Sequence, residues 1–371
     1  MDTFLIIILI FLLVLAIYII VTDVLVNVAY HYAFKKVDWY SSEDYLRNYE
    51  LYLVDYPARK FKIPNKNYNL QAYMFGELND KSHEHSASEQ DIPKGLLIFS
   101  HGLWVDHKEY IAEITYLVEQ GWQVLAYDGT GSGESEKSTT IGLVQSSLDL
   151  KAVLEYVADD DLLSRMPIAT VGHSWGGFAA ATNLGKNKLN IVASTPLSAY
   201  AYPAEIALEV LEGILGKFAY FFYPAAWATN YARFGANHNI NAVDVLKETE
   251  IPTLIIHGQN DNFISIDGAS VFAHRHEINN TKVNFMRWKE QGRDGHNSLL
   301  GKINFTEDID PEEIAEDFFE LARSSESFSF IDTVHEVLIR HKAVDNNKTN
   351  YRLLAIIDWF LSRYLPENEE L

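Results

Sequence analysis

Gly172-His173-Ser174-Trp175-Gly176 stands between an apolar stretch, residues 168–171, and the small-residue run Gly177-Phe178-Ala179-Ala180-Ala181. That succession predicts a strand, a sharp turn and a helix with no loop between them. Glycines on either side of Ser174 let the turn form without Cβ clashes. The serine hydroxyl is then lifted above the end of the strand, where a helix amino terminus favours developing negative charge.

Seven further stretches read as strands: residues 50–55, 69–75, 95–99, 123–127, 191–194, 253–256 and 283–288. From the third strand onward helical patterns lie between them, notably 109–120, 143–158 and 177–184. The alternation predicts an α/β fold: a mostly parallel eight-stranded sheet with helices on both faces, whose sites gather at the carboxyl ends of the strands. A polar insert at 79–90 reads as a surface loop and 197–250, between the sixth and seventh strands, as a cap. The chain from 308 onward is acidic and helical in pattern, with Asp310-Pro311-Glu312-Glu313 as a helix start. The expected organisation is an anchor and stalk (1–34), a core in two parts (35–196 and 251–371) and the cap.

A serine hydroxyl is a weak nucleophile at neutral pH and needs a base that is itself oriented. After strand 253–256 comes His257-Gly258-Gln259-Asn260-Asp261, and after strand 283–288 comes Gly292-Arg293-Asp294-Gly295-His296. The order places Asp261 and His296 on the same sheet edge as Ser174, as acid and general base. Asp128, Asp267 and Asp294 compete for the acid role but suit turns or helix starts. Among thirteen histidines, His83 and His85 flank Glu84 in the polar insert, where a solvated loop is the simpler reading than a metal site. His101, His173 and His257 adjoin glycines and shape turns, while His274 and His276 lie on a helical pattern without an evident partner. Oxyanion donors are expected from the Trp175 N–H and, after Ser100-His101-Gly102, from the Leu103 N–H, with Trp104 as the fallback.

Acidic residues outnumber basic ones 51 to 30, a net charge of −21. Such a field repels phosphate backbones, so nucleic acid is excluded as a partner. With no cysteine in the chain, thiolate nucleophiles and cysteine-ligated metals are excluded too. The glycines of the Asp128–Ser135 segment do not match G-x-G-x-x-G, and neither cofactor nor metal is implied.

Residues 3–21 carry no charge. As a helix they span about 28 Å, the thickness of a bilayer core. No basic segment precedes the run and no A-x-A site follows, so the reading is an uncleaved membrane anchor through residues 3–21. Residues 24–34 continue as a stalk, and Lys35 and Lys36 favour a cytoplasmic catalytic domain.

On Ser100-His101-Gly102, Asp128-Gly129-Thr130-Gly131-Ser132-Gly133-Glu134-Ser135, Gly172 to Gly177, and the loops of Asp261 and His296, the chain resembles the α/β-hydrolase superfamily. The resemblance is nearest to monoglyceride lipase and lysophospholipase-like serine hydrolases, with Ser132 where those commonly carry histidine. It implies a capped hydrolase acting through Ser174, His296 and Asp261 on a lipid-like or other small acyl ester. The aromatic residues of the cap, including Tyr220-Phe221-Phe222-Tyr223, then either line an acyl pocket or form the cap's own core. An aminopeptidase or amidase of the same fold is the alternative and requires acidic groups to receive a free amino terminus. A non-enzymatic interaction module is disfavoured by the retained serine, acid and histidine.

Overall fold

The computed structural model describes residues 3–36, 43–77, 92–185, 189–301 and 349–366. The insert 79–90, with His83, Glu84 and His85, and the helix start at 310–313 lie outside the described residues.

Eight strands form one sheet: β1 (Ala58–Asn65), β2 (Tyr68–Phe75), β3 (Leu96–Ser100), β4 (Gln123–Tyr127), β5 (Ile168–His173), β6 (Ile191–Leu197), β7 (Thr253–Gly258) and β8 (Val283–Trp288). Their order is β1-β2-β4-β3-β5-β6-β7-β8. β2 is antiparallel to both neighbours, and β3 to β8 run parallel. The central strands are buried along their whole length, as continuous apolar runs require when helices cover both faces. Along β3 the side chains alternate between two cores. Leu97 and Phe99 meet α3 (Ile111–Glu119) and the carboxyl-terminal helix Tyr351–Ser362, while Leu96 and Ile98 share the opposite core with α4 (Gln145–Asp159).

One strand expectation fails. Residues 50–55 belong to helix α2 (Glu43–Asp55), and the first strand lies at Ala58–Asn65. In six residues a period of two and a period of 3.6 are hard to tell apart. Tyr49, Tyr52 and Leu53 pack on the core at helical spacing, while Leu51 and Val54 face outward. β1 escapes notice because it is a charged edge, with Arg59, Lys60 and Lys62 exposed, which also discourages pairing with another chain.

Between β6 and β7 come α6 (Pro203–Leu215), α7 (Tyr223–Phe234) and α8 (Ala242–Glu248). α8 buries Val243 and Leu246 beside Phe178 and Ala181 of α5 (Trp175–Thr182), whereas α6 and α7 stand over the sheet edge. α1 runs unbroken from Thr3 to Ala33, about 46 Å. Residues 24–34 are not a free stalk: Val26 and Phe34 are buried, and this half of the helix packs on α7.

Candidate active site

Ser174 sits between β5 and α5 with φ 58° and ψ −115°, a strained conformation for a residue with a side chain. The flanking glycines are needed for close approach. A Cβ on Gly172 would collide with the Gly176 carbonyl, and one on Gly176 with the Ser100 carbonyl. The turn is thus pressed against the loop after β3. Hydrogen bonds from Ser174 N to the Leu197 carbonyl and from Phe178 N to the Ser174 carbonyl, both 2.9 Å, hold it.

The loops after β5, β7 and β8 bring the three expected side chains together. His296 Nε2 is 2.9 Å from Ser174 Oγ, and His296 Nδ1 is 2.8 Å from Asp261 Oδ2. A carboxylate only accepts, so Nδ1 carries the proton of the neutral ring and Nε2 is left to accept from the serine hydroxyl. Asp261 Oδ1 accepts from the Phe263 and Ile264 N–H groups at 3.1 and 2.8 Å. Burial pushes its carboxyl up, but the neighbouring His296 and the hydrogen bonds from His257 and His296 more than offset this. The acid is held well below the usual carboxylate range.

The other acids lie elsewhere. Asp128 is buried and accepts from His107 Nδ1 (2.7 Å) and the Glu134 N–H (2.8 Å), closing the glycine-rich loop. Asp294 accepts from Asn260 Nδ2 at 2.8 Å and so ties the acid's loop to the histidine's. Asp267 is exposed.

Three residues that the sequence marks only as turn formers, or not at all, position the site: His257, His173 and Tyr110. His257 Nε2 lies 2.8 Å from the Ile264 carbonyl and 3.2 Å from Asp261 Oδ2, so it buttresses the same carboxylate oxygen that faces His296. His173 Nε2 donates to the His296 carbonyl at 2.9 Å, which leaves Nδ1 to accept from Tyr110 OH at 2.9 Å. The Tyr110 oxygen in turn accepts from the Gly102 N–H at 3.1 Å. One chain of hydrogen bonds therefore fixes the loop after β3 relative to the loop of His296. The only sequence signal was local: His257 stands four residues before Asp261, and His173 beside Ser174.

Leu103, Trp104 and Trp175 border the same cavity as Ser174. Among the described residues the Leu103 and Trp175 N–H groups donate no hydrogen bond, and Trp175 opens α5, so its N–H lies at the positive end of a helix. His274, without an evident partner in the sequence, bridges Glu205 of α6 (2.9 Å) and Glu277 (2.6 Å).

The cavity over Ser174 measures about 340 Å³, within the usual range for small-ligand sites. Its walls are apolar, and no charged residue borders it among the described residues. Of the cap aromatics, Phe222 lines it together with Tyr200 from the segment after β6. Phe218, Tyr220, Phe221, Tyr223, Trp227 and Tyr231 are exposed, so most of the aromatic run neither lines the pocket nor forms a cap core.

Residues 91–230 match the sequence model of the family described as Hydrolase_4, serine aminopeptidase, S33. An esterase of Pyrococcus furiosus superposes with a TM-score of 0.52 at 16% identity, covering 84% of this chain and 93% of that one. The chain is a member of the α/β-hydrolase superfamily, of the serine-hydrolase kind. This α/β-hydrolase is also similar to a non-heme chloroperoxidase of Burkholderia pyrrocinia, at 24% identity over 47% of this chain and 77% of the relative. A Pyrococcus horikoshii acylaminoacyl peptidase superposes with a TM-score of 0.49 at 13% identity, covering 85% of this chain and 43% of that one.

Proposed function

We propose that this α/β-hydrolase is a membrane-anchored esterase that cleaves acyl esters of lipids, of the monoacylglycerol or lysophospholipid kind, through an acyl-enzyme on Ser174. The observation that carries the reading is the uncharged apolar cavity bordered by Ser174, which suits an acyl chain. An aminopeptidase must hold a free α-ammonium, and no carboxylate borders this cavity among the described residues.

In this reading Ser174 Oγ attacks the ester carbonyl as His296 Nε2 takes its proton, and Asp261 holds the imidazolium through Nδ1–H. The Leu103 and Trp175 N–H groups receive the oxyanion. His296 then protonates the departing alcohol and deprotonates the water that releases the acid. Because Asp261 is held low, it stays ionised well into the acid range, so protonation of this carboxyl is not expected to limit kcat/KM on a soluble ester there. The stabilising effect of the Asp261 carboxylate is present above the ordinary carboxyl value of ~3.9 and is lost only as pH falls through the lower folded value.

The membrane part rests on α1, whose most apolar 18-residue window has a mean hydropathy of 3.6. Its first half is exposed along its length. Tyr18 OH donates to the Phe221 carbonyl at 2.5 Å, so the exposed cap aromatics lie beside the helix where a bilayer surface would be. With the full-length chain in detergent, p-nitrophenyl acyl esters are expected to exceed aminoacyl p-nitroanilides in kcat/KM by about 100-fold or more. Preference for anilides with a free α-amine would overturn the ester reading.

A further inference from the structure

The membrane helix does more in this structure than lead into the catalytic domain. Leu25, Val26, Ala29, Tyr30, Ala33 and Phe34 border the same cavity as Ser174. Val26, Ala29, Tyr30 and Ala33 recur at three- and four-residue spacing, which puts them on one face of the helix. Residues of α6, the Phe222 ring and the buried Ser174 and Trp175 also line it.

The segment is held in place by its own backbone. The last carbonyls of a helix lack partners within it, and here other loops supply them. The Ala33 carbonyl accepts from Trp104 Nε1 at 2.6 Å, and the Phe34 carbonyl accepts from Thr140 N at 2.7 Å. Lys36 N donates to the Ser138 carbonyl at 2.9 Å. On the flank, Arg233 of α7 lies over the Tyr30 ring at 4.8 Å and donates to the Ile141 carbonyl at 3.3 Å. Trp104, with φ 65°, belongs to the loop that carries Leu103, so the end of α1 is bonded directly to that loop.

We infer that the second half of α1 is a wall of the acyl-binding site and that Ala29 and Ala33 set the length of chain the site accepts. The inference rests on the ester reading of the Ser174 site. Both are methyl-bearing positions at a cavity wall, so the room beside them depends on their staying small. A larger side chain at either position takes space that an acyl tail would fill. Leu25, a larger residue on the same wall and exposed like Ala29 and Ala33, fills room that shortening it would open.

The test uses the full-length chain in one detergent and p-nitrophenyl esters from acetate to laurate, reading the laurate-to-acetate ratio of kcat/KM. Each methylene shut out of an apolar site costs roughly four-fold, so Ala29→Phe and Ala33→Phe are expected to lower the ratio by about ten-fold or more. Leu25→Ala, which adds no bulk and needs no repacking, is expected to move the ratio too, toward longer chains. Val28→Phe, exposed and not at the cavity, is the control and leaves the ratio as in the parent. Ratios within two-fold of the parent in the folded Phe variants and in Leu25→Ala, or an equal shift in Val28→Phe, would overturn the inference while leaving the ester reading intact. A parent chain inert to every ester would overturn the ester reading, and the inference with it.

Discussion

Ser174→Ala is expected to lower kcat/KM on any ester substrate by about 10,000-fold or more, because the attacking atom is gone while the rest of the site remains. The fold is expected to survive. The substitution keeps the Cβ, so the strained backbone at φ 58° is no worse, and the missing hydrogen bond to His296 Nε2 is worth about 1 kcal/mol. Steady-state kinetics and a melting curve on the same preparation check both halves. Turnover near the parent rate would remove Ser174 from the mechanism.

Asp261→Asn is expected to cost about 1,000- to 10,000-fold in kcat with KM little changed. The side-chain oxygen can still accept from the Phe263 and Ile264 N–H groups, but an amide NH₂ then faces His296 Nδ1. The ring responds by placing its proton on Nε2, the atom that must accept from Ser174. Asp128→Asn acts in a different place. Its hydrogen bonds run to His107 and Glu134 within the glycine-rich loop, so the change is expected to lower Tm and to cost far less in kcat. If Asp128→Asn were the more damaging to kcat, the acid would have to be reassigned.

The sheet edge was legible because strands buried on both faces are continuous apolar runs, and the loops after β5, β7 and β8 carried serine, acid and histidine in chain order. What escaped the sequence did so for physical reasons. β1 is an edge strand whose lysines hide its period, while residues 50–55, apolar enough to suggest a strand, belong to α2, where Tyr49, Tyr52 and Leu53 face the core. His257 and the Tyr110–His173 chain act through contacts between loops far apart in sequence. The packing of the second half of α1 on the cavity is not visible in so apolar a segment, because hydropathy does not say which residues meet protein and which stay exposed. The cap aromatics carry the same ambiguity: Phe222 turns into the cavity while its neighbour Phe221 points out.

In the proposed function Ser174 is a nucleophile activated by His296 inside an acyl-binding cavity. Treating the folded full-length chain with a fluorophosphonate and locating the adduct by peptide mass spectrometry tests it most directly. One label per chain is expected, on Ser174, absent from Ser174→Ala and slowed by a long-chain ester that occupies the cavity. A folded chain that takes up no label, or carries it on another residue that still reacts in Ser174→Ala, would contradict it.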